Sequence, residues 1–215
     1  MLKRISDIVL SAAGLVILGP FLLLIAWKIK CHDNGPVIYR GLRVGFQGKP
    51  FRIFKFRTMV VDAEKLGASS TSDDDARITP IGKLLRKYKL DELPQLINVL
   101  IGDMSLVGPR PEVKKFTDMY TKEEMAILSV RPGITDWASI WNDDEGALLK
   151  GSIDPDNDYL KKIRPEKIRL QLKYVRERSC WTDIGIIFFT LKKILGKPFG
   201  TEGATTQGEI DELRH

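Results

Sequence analysis

From Ile5 to Trp27 the chain is almost continuously apolar, with Asp7 as its only ionisable residue. At about 1.5 Å per residue, such a run reaches across a hydrocarbon core of about 30 Å. Ile25-Ala26-Trp27 lacks a small-x-small pattern, which argues against a cleaved signal peptide. A single spanning helix and a re-entrant or interfacial helix remain open. Lys3 and Arg4 flank one end, and Lys28 and Lys30 flank the other. A span would place one basic pair outside, where positive charge is disfavoured. Gly19-Pro20 also interrupts the run, and proline removes a backbone donor. The two features together favour a bent, re-entrant membrane helix over 1–30 that enters and leaves on the same face.

The pattern changes after the Gly35-Pro36 turn. Val37–Tyr39 and Phe51–Phe56 read as strands joined through the glycine-rich 41–50 segment, hence a β-hairpin. Ser69–Asp75 reads as a solvated acidic turn, since the spacing and closing Glu of a calcium loop are missing. Ile81, Leu84, Leu85 and Tyr88 share one face of an expected helix over 81–90, with Lys83, Arg86, Lys87 and Lys89 on the rest. That helix suits either a core or an anionic membrane surface. Further helices are expected over 94–101, after the Thr121–Glu124 capping box, and from Pro165 to about Ser179. Trp181–Leu195 is apolar but short for a span, so it is a buried or interfacial helix. The expected fold is α+β: a small helix-rich domain over 31–200 with a β-hairpin or small sheet, the membrane helix and interfacial amphipathic helices. A loosely ordered tail follows over 201–215.

Composition narrows the chemistry. The chain has 215 residues, 43% of them hydrophobic and 29% charged, which supports a single cored domain and excludes a polytopic membrane protein. It has only two cysteines and two histidines, so a disulfide framework, a zinc site or a Ser-His-Asp centre is a poor fit. A net charge of +6 points to a polyanionic partner: nucleic acid, a phosphate-rich substrate or an anionic membrane. Reaction chemistry must then rest on carboxylates and cations.

The densest such group is Asp91-Glu92, followed by the Gly108-Pro109-Arg110-Pro111 turn, with Arg86 about one helical turn upstream. Carboxylates before a helix commonly act as N-caps. Paired carboxylates beside arginines also suit Mg²⁺ and a phosphate, and a carboxylate can itself be a phosphoryl acceptor.

Three segments are more specific: Lys55-Phe56-Arg57-Thr58-Met59, the run from Leu90 to Leu100, and the run from Gly102 to Pro111. They resemble the bacterial sugar transferase family, the monotopic phosphoglycosyl transferases. The resemblance covers nearly the whole chain, through Arg131-Pro132-Gly133-Ile134-Thr135, and looks like a short, minimal member. It implies transfer of a phosphosugar from a UDP-sugar to polyprenyl (undecaprenyl) phosphate, with release of UMP, by ping-pong catalysis. Asp91 would be the nucleophile, and Asp91 and Glu92 would hold Mg²⁺. Arg110 and Arg86 would neutralise phosphate charge. Lys55 and Arg57 match a basic motif that binds substrate phosphate or, alternatively, lipid headgroups.

The resemblance also implies a place on the cytoplasmic face of the bacterial inner membrane, early in glycoconjugate or polysaccharide biosynthesis, and leaves room for a homodimer. The family's Ser-Pro at the helix break is Gly19-Pro20 here, which leaves no hydroxyl to satisfy a freed carbonyl. The 137–146 segment is the expected sugar-facing region, with loop packing of Trp141 and solvation of Asp143-Asp144 as the alternative. The rival functions are a membrane-anchored binding module and a non-catalytic scaffold. Nucleic acid is not expected as a partner, because aromatic residues are not interleaved with basic ones.

Overall fold

The computed structural model describes residues 2–67, 70–142 and 144–196. The expected tail over 201–215 and Asp143 lie outside the described residues. Helix α1 runs uninterrupted over Leu2–Asp33, with Pro20 inside it. Pro20 lacks the N–H that would reach the Val16 carbonyl, but the helix continues on both sides. Among the described residues, α1 is the one helix long and apolar enough to cross a membrane.

One stripe of α1 faces the protein: Asp7, Ser11, Ile25 and Ile29 are buried. The opposite face exposes Val16, Ile17 and Leu23 by more than 70%. Arg4 donates to the carbonyls of Val99 at 2.6 Å and Leu100 at 2.9 Å. Asp7, the lone acid of the apolar run, accepts from Ser105 Oγ and the Leu106 amide, both at 3.1 Å. At the other end Ile25 and Ile29 share a core cluster with Phe56 and Leu85. Both ends of the helix are therefore fastened to the same body.

The hairpin pairs β1 (Ile38–Val44) with β2 (Pro50–Phe56) antiparallel, Ile38 opposite Phe56 and Gly41 opposite Ile53. Its strands extend into the glycine-rich segment expected as loop, leaving only a tight connection with left-handed Gln47 and Gly48. Helix α2 (Pro80–Lys87) starts at Thr79, whose hydroxyl accepts from the Gly82 amide at 3.1 Å. It ends before the expected Leu90, because Lys89 adopts a left-handed conformation (φ 56°). That residue turns the chain into a single 3-10 turn over Leu90–Glu92. Helix α3 (Gln95–Ile101) follows and closes on left-handed Gly102.

A second sheet joins β3 (Ser105–Val107) and β4 (Gly133–Thr135) in parallel. The rest is helical: α4 (Lys114–Thr117), α5 (Trp137–Trp141), α6 (Glu145–Leu148), α7 (Pro155–Asp158), α8 (Arg164–Glu177) and α9 (Cys180–Leu195). The Thr121–Glu124 box forms reciprocally, but opens a 3-10 stretch rather than an α-helix. Helix α9 is amphipathic: Ile186 is buried while Trp181, Phe188 and Leu191 are exposed. The acidic turn leaves Asp73 and Asp74 exposed, as expected of a solvated turn, and is also tied to its surroundings. Asp75 pairs with Arg77 at 2.6 Å, Asp73 N–H donates to the Gly146 carbonyl, and Asp74 accepts from Gly151.

Backbone contact at the second sheet is close enough to test. A Cβ at Gly133 would overlap the backbone of Gly108. Gly133→Ala should therefore lower unfolding free energy by about 3 kcal/mol. Gly185→Ala, in α9 with nothing within 4 Å of the new carbon, should be neutral or stabilising by about 0.5 kcal/mol. Thermal melts of the two variants check the contrast.

Candidate active site

The local fold explains why Asp91 and Glu92 meet Lys55. Asn98 of α3 is fully buried; its Nδ2 donates to the Arg52 carbonyl and its Oδ1 accepts from the Phe54 amide, both at 2.8 Å. These bonds clip α3 to the edge of β2. The turn just before α3 is thereby held against the strand that carries Lys55. Lys55 Nζ donates to Glu92 Oε1 at 2.7 Å. Arg110 donates to both oxygens of the same carboxylate, with Nη1 to Oε2 at 2.9 Å and Nη2 to Oε1. Such a bidentate fork fixes direction as well as charge.

Asp91 stands beside this clamp, 7% exposed, and its Oδ1 has no hydrogen-bond partner. A buried, unpaired carboxylate oxygen is costly and calls for an incoming partner. Burial raises the Asp91 carboxyl above its ordinary 3.8, with Lys55 opposing and Glu92 adding to the rise. Glu92 moves the other way. Burial alone would raise it, but Arg110 and Lys55 override that and leave it well below 4.5. Burial lowers the Lys55 ammonium, and Glu92 resists that shift. Glu92 raises the Arg110 guanidinium against its burial. The two adjacent acids thus differ: one is spent on holding cations, the other keeps an oxygen without a partner.

Lys55, Arg57, Arg86, Asp91, Glu92 and Arg110 all line one cleft of about 1220 Å³. Within it they do not all converge. Arg86 donates Nε to Thr58 Oγ1 at 3.0 Å and feels the field of Asp91. Arg57 turns away from the acidic pair and forms a bidentate bond with Asp33, at 2.8 Å through Nη1. It ties the end of α1 to the end of β2. From the expected sugar-facing segment, Asp144, Glu145 and Gly146 line the cleft, whereas Trp141 packs against the Phe116, Leu149, Tyr159 and Ile163 core.

Sequence reasoning missed a buried polar network on the cleft's far wall. Glu112 Oε1 accepts from Tyr159 OH at 2.5 Å and pairs with Lys167 Nζ at 2.9 Å. Asp136, fully buried, accepts from the Arg110 amide at 3.2 Å, and Gln171 Nε2 donates to the Arg110 carbonyl at 3.3 Å. The signal was present: Ile163, Lys167, Gln171 and Tyr174 share the buried face of the 159–177 helical stretch, and a lysine there breaks the apolar pattern.

Residues 1–197 match the family described as bacterial sugar transferase. The chain belongs to that family. It is 40% identical over 196 residues to the UDP-glucose:undecaprenyl-phosphate glucose-1-phosphate transferase of Escherichia coli (strain K12), covering 90% of this chain and 40% of that protein. It is 38% identical to the UDP-N-acetylgalactosamine-undecaprenyl-phosphate N-acetylgalactosaminephosphotransferase of Aeromonas hydrophila, covering 90% and 44%. A third relative, from Caulobacter vibrioides and named like the first, is 35% identical, with 90% and 69% covered. The chain thus spans less than half the length of the first two relatives.

The relatives' names give UDP-linked sugars, so a divalent cation must be weighed against these residues. Among the described residues no group of three His, Cys, Asp or Glu could hold a metal alone. The unpaired Asp91 oxygen fits Mg²⁺, which commonly takes one or two carboxylates and completes its shell with phosphate oxygens and water. Glu92 has less to offer, since Lys55 and Arg110 already occupy both its oxygens.

Proposed function

We propose that this chain transfers a phosphosugar from a UDP-sugar to polyprenyl (undecaprenyl) phosphate and releases UMP. The observation that carries the reading is the buried, unpartnered Asp91 oxygen beside the Glu92–Lys55–Arg110 clamp. Family membership and the names of the relatives support the substrate classes.

In the first half-reaction an Asp91 carboxylate oxygen attacks the sugar-linked phosphorus. The new bond is an acyl phosphate; the broken bond is the phosphoanhydride, whose electron pair leaves on UMP. In the second, a phosphate oxygen of the lipid attacks the same phosphorus, returning the Asp91 carboxylate and forming a diphosphate-linked sugar. Mg²⁺ would be held chiefly by the free Asp91 oxygen, with Glu92 able to share it only by giving up a bond to Lys55 or Arg110, and would supply charge neutralisation. Lys55 and Arg110 stay charged through Glu92 and stabilise charge at the transferred phosphoryl group. Arg86, which lines the same cleft, neutralises charge on the leaving phosphate.

The lipid acceptor requires the cleft to stand at a membrane. The outward apolar faces of α1 and α9 suit insertion into one leaflet, on the cytoplasmic face of the inner membrane, and the fastening of both ends of α1 to one body supports a re-entrant course. Cysteines introduced as Leu2→Cys and His32→Cys, with Cys31 and Cys180 replaced by serine, should both label from the cytoplasmic side only. Labelling from opposite sides contradicts that topology.

The functional test is UMP release by detergent-purified protein supplied with Mg²⁺, undecaprenyl phosphate and a panel of UDP-sugars. Release with at least one donor, dependent on lipid and metal, is expected. Silence with every donor favours a non-catalytic binding or scaffold role.

A further inference from the structure

Lys167 is a largely buried cation on the wall of the cleft that holds Asp91 and Glu92. Its Nζ is 2.9 Å from Glu112 Oε1, 3.2 Å from Tyr159 OH and 3.6 Å from Glu145 Oε2, and it lies 5.0 Å from the Tyr159 ring centroid. Burial would lower its ammonium, but the two glutamates, Glu112 foremost, hold it well above the ordinary lysine value. An apolar residue of similar volume would fill this place without desolvating a charge. The tyrosine hydroxyl donates to Glu112 and accepts from Lys167, so the strongest contacts of the cation are spent within the network.

What the network does hold is the turn bearing Arg110. Glu112 is separated from Arg110 only by Pro111, whose φ is fixed by its ring. The turn is tied at successive backbone points: Gly133 N–H to the Pro109 carbonyl, Arg110 N–H to Asp136, Gln171 to the Arg110 carbonyl, and Val44 N–H to the Glu112 carbonyl. Lys167 and Gln171 stand one turn apart on α8, so one helix face grips the turn at both Arg110 and Glu112.

We propose that Lys167 is a positioning residue for phosphoryl transfer: through Glu112 it holds the Arg110 turn so that the guanidinium meets Glu92 and the transferred phosphate together. Lys167 Nζ contacts Glu112, Tyr159 and Glu145 rather than Asp91 or Glu92. This inference rests on the functional reading above.

A double-mutant cycle on UMP release tests it, using Lys167→Met, Arg110→Lys and the double variant, with folding checked by circular dichroism. Arg110→Lys removes the bidentate fork and hence what Lys167 would position. Lys167→Met alone should lower kcat by about 10–100-fold with donor KM within about threefold, since a misplaced group costs turnover rather than uniform binding. In the Arg110→Lys background the same change should cost less than about threefold. Equal losses in both backgrounds, or a loss carried by KM alone, overturn the proposal and leave the functional reading intact. If Lys167→Met does not fold, Glu112→Gln takes its place in the cycle with the same expectations. A wild-type protein that releases no UMP from any donor overturns the functional reading, and this proposal with it.

Discussion

Asp91→Asn is expected to abolish UMP release, lowering turnover by at least about 10³-fold while leaving the fold intact. The amide keeps the shape of the side chain but has no anionic oxygen to form an acyl phosphate. It also relieves the charge that burial disfavours, so the melting temperature should hold or rise. Loss of activity without loss of stability separates a reactive group from a structural one. The raised Asp91 carboxyl adds a pH signature. Attack requires the ionised form, so kcat/KM for the donor should rise with pH through a value above 3.8. Rate against pH for wild type, with stability followed in parallel, checks both statements; undiminished turnover in Asp91→Asn contradicts the assignment.

Glu92→Gln should cost about 10²–10³-fold in turnover and, unlike Asp91→Asn, should also destabilise the fold by about 3 kcal/mol. Glu92 is the common partner of Lys55 and Arg110. Neutralising it leaves two largely buried cations facing each other, and Lys55, already lowered by burial, loses the group that keeps it charged. The sign with pH follows from the depressed carboxyl. Its stabilisation is fully present above about 4.5 and is lost as pH falls toward the depressed folded value. Wild type should therefore lose stability on acidification below pH 4.5 more steeply than Glu92→Gln. Denaturant unfolding of both proteins across that range measures the difference.

The contrast between these neighbours shows how far the sequence could be read. Asp91, Glu92, Lys55 and Arg110 stand in segments whose wording is specific, and the structure brings them to one cleft. Arg57 belongs to the same basic motif yet serves Asp33, because it lies just past the end of β2 and the motif does not say which acid waits there. Asp7, the only ionisable residue of the apolar run, finds its partners in Ser105 and the Leu106 amide of β3, which no local pattern announces.

Other features were beyond local reasoning for a physical reason. The β3–β4 sheet pairs Ser105 with Gly133 and Val107 with Thr135, strands too short to announce themselves by alternation and distant along the chain. Lys89 ends α2 early through a left-handed backbone that no propensity favours in lysine. The acidic segment docks because Asp156 and Gly146 offer partners from elsewhere in the fold. Long-range pairing of this kind leaves no periodic trace. Helix α8 did leave one, in the lysine and glutamine on its buried stripe.

The most direct test of the central claim omits the acceptor. Purified protein mixed with Mg²⁺ and a competent UDP-sugar, but no polyprenyl phosphate, should release a burst of UMP close to one per active protein. Intact-protein mass spectrometry should then find a phosphosugar adduct that maps to Asp91, disappears on adding lipid phosphate, and never forms on Asp91→Asn. UMP release that strictly requires the lipid, with no adduct at Asp91 under quench, contradicts covalent transfer through this residue.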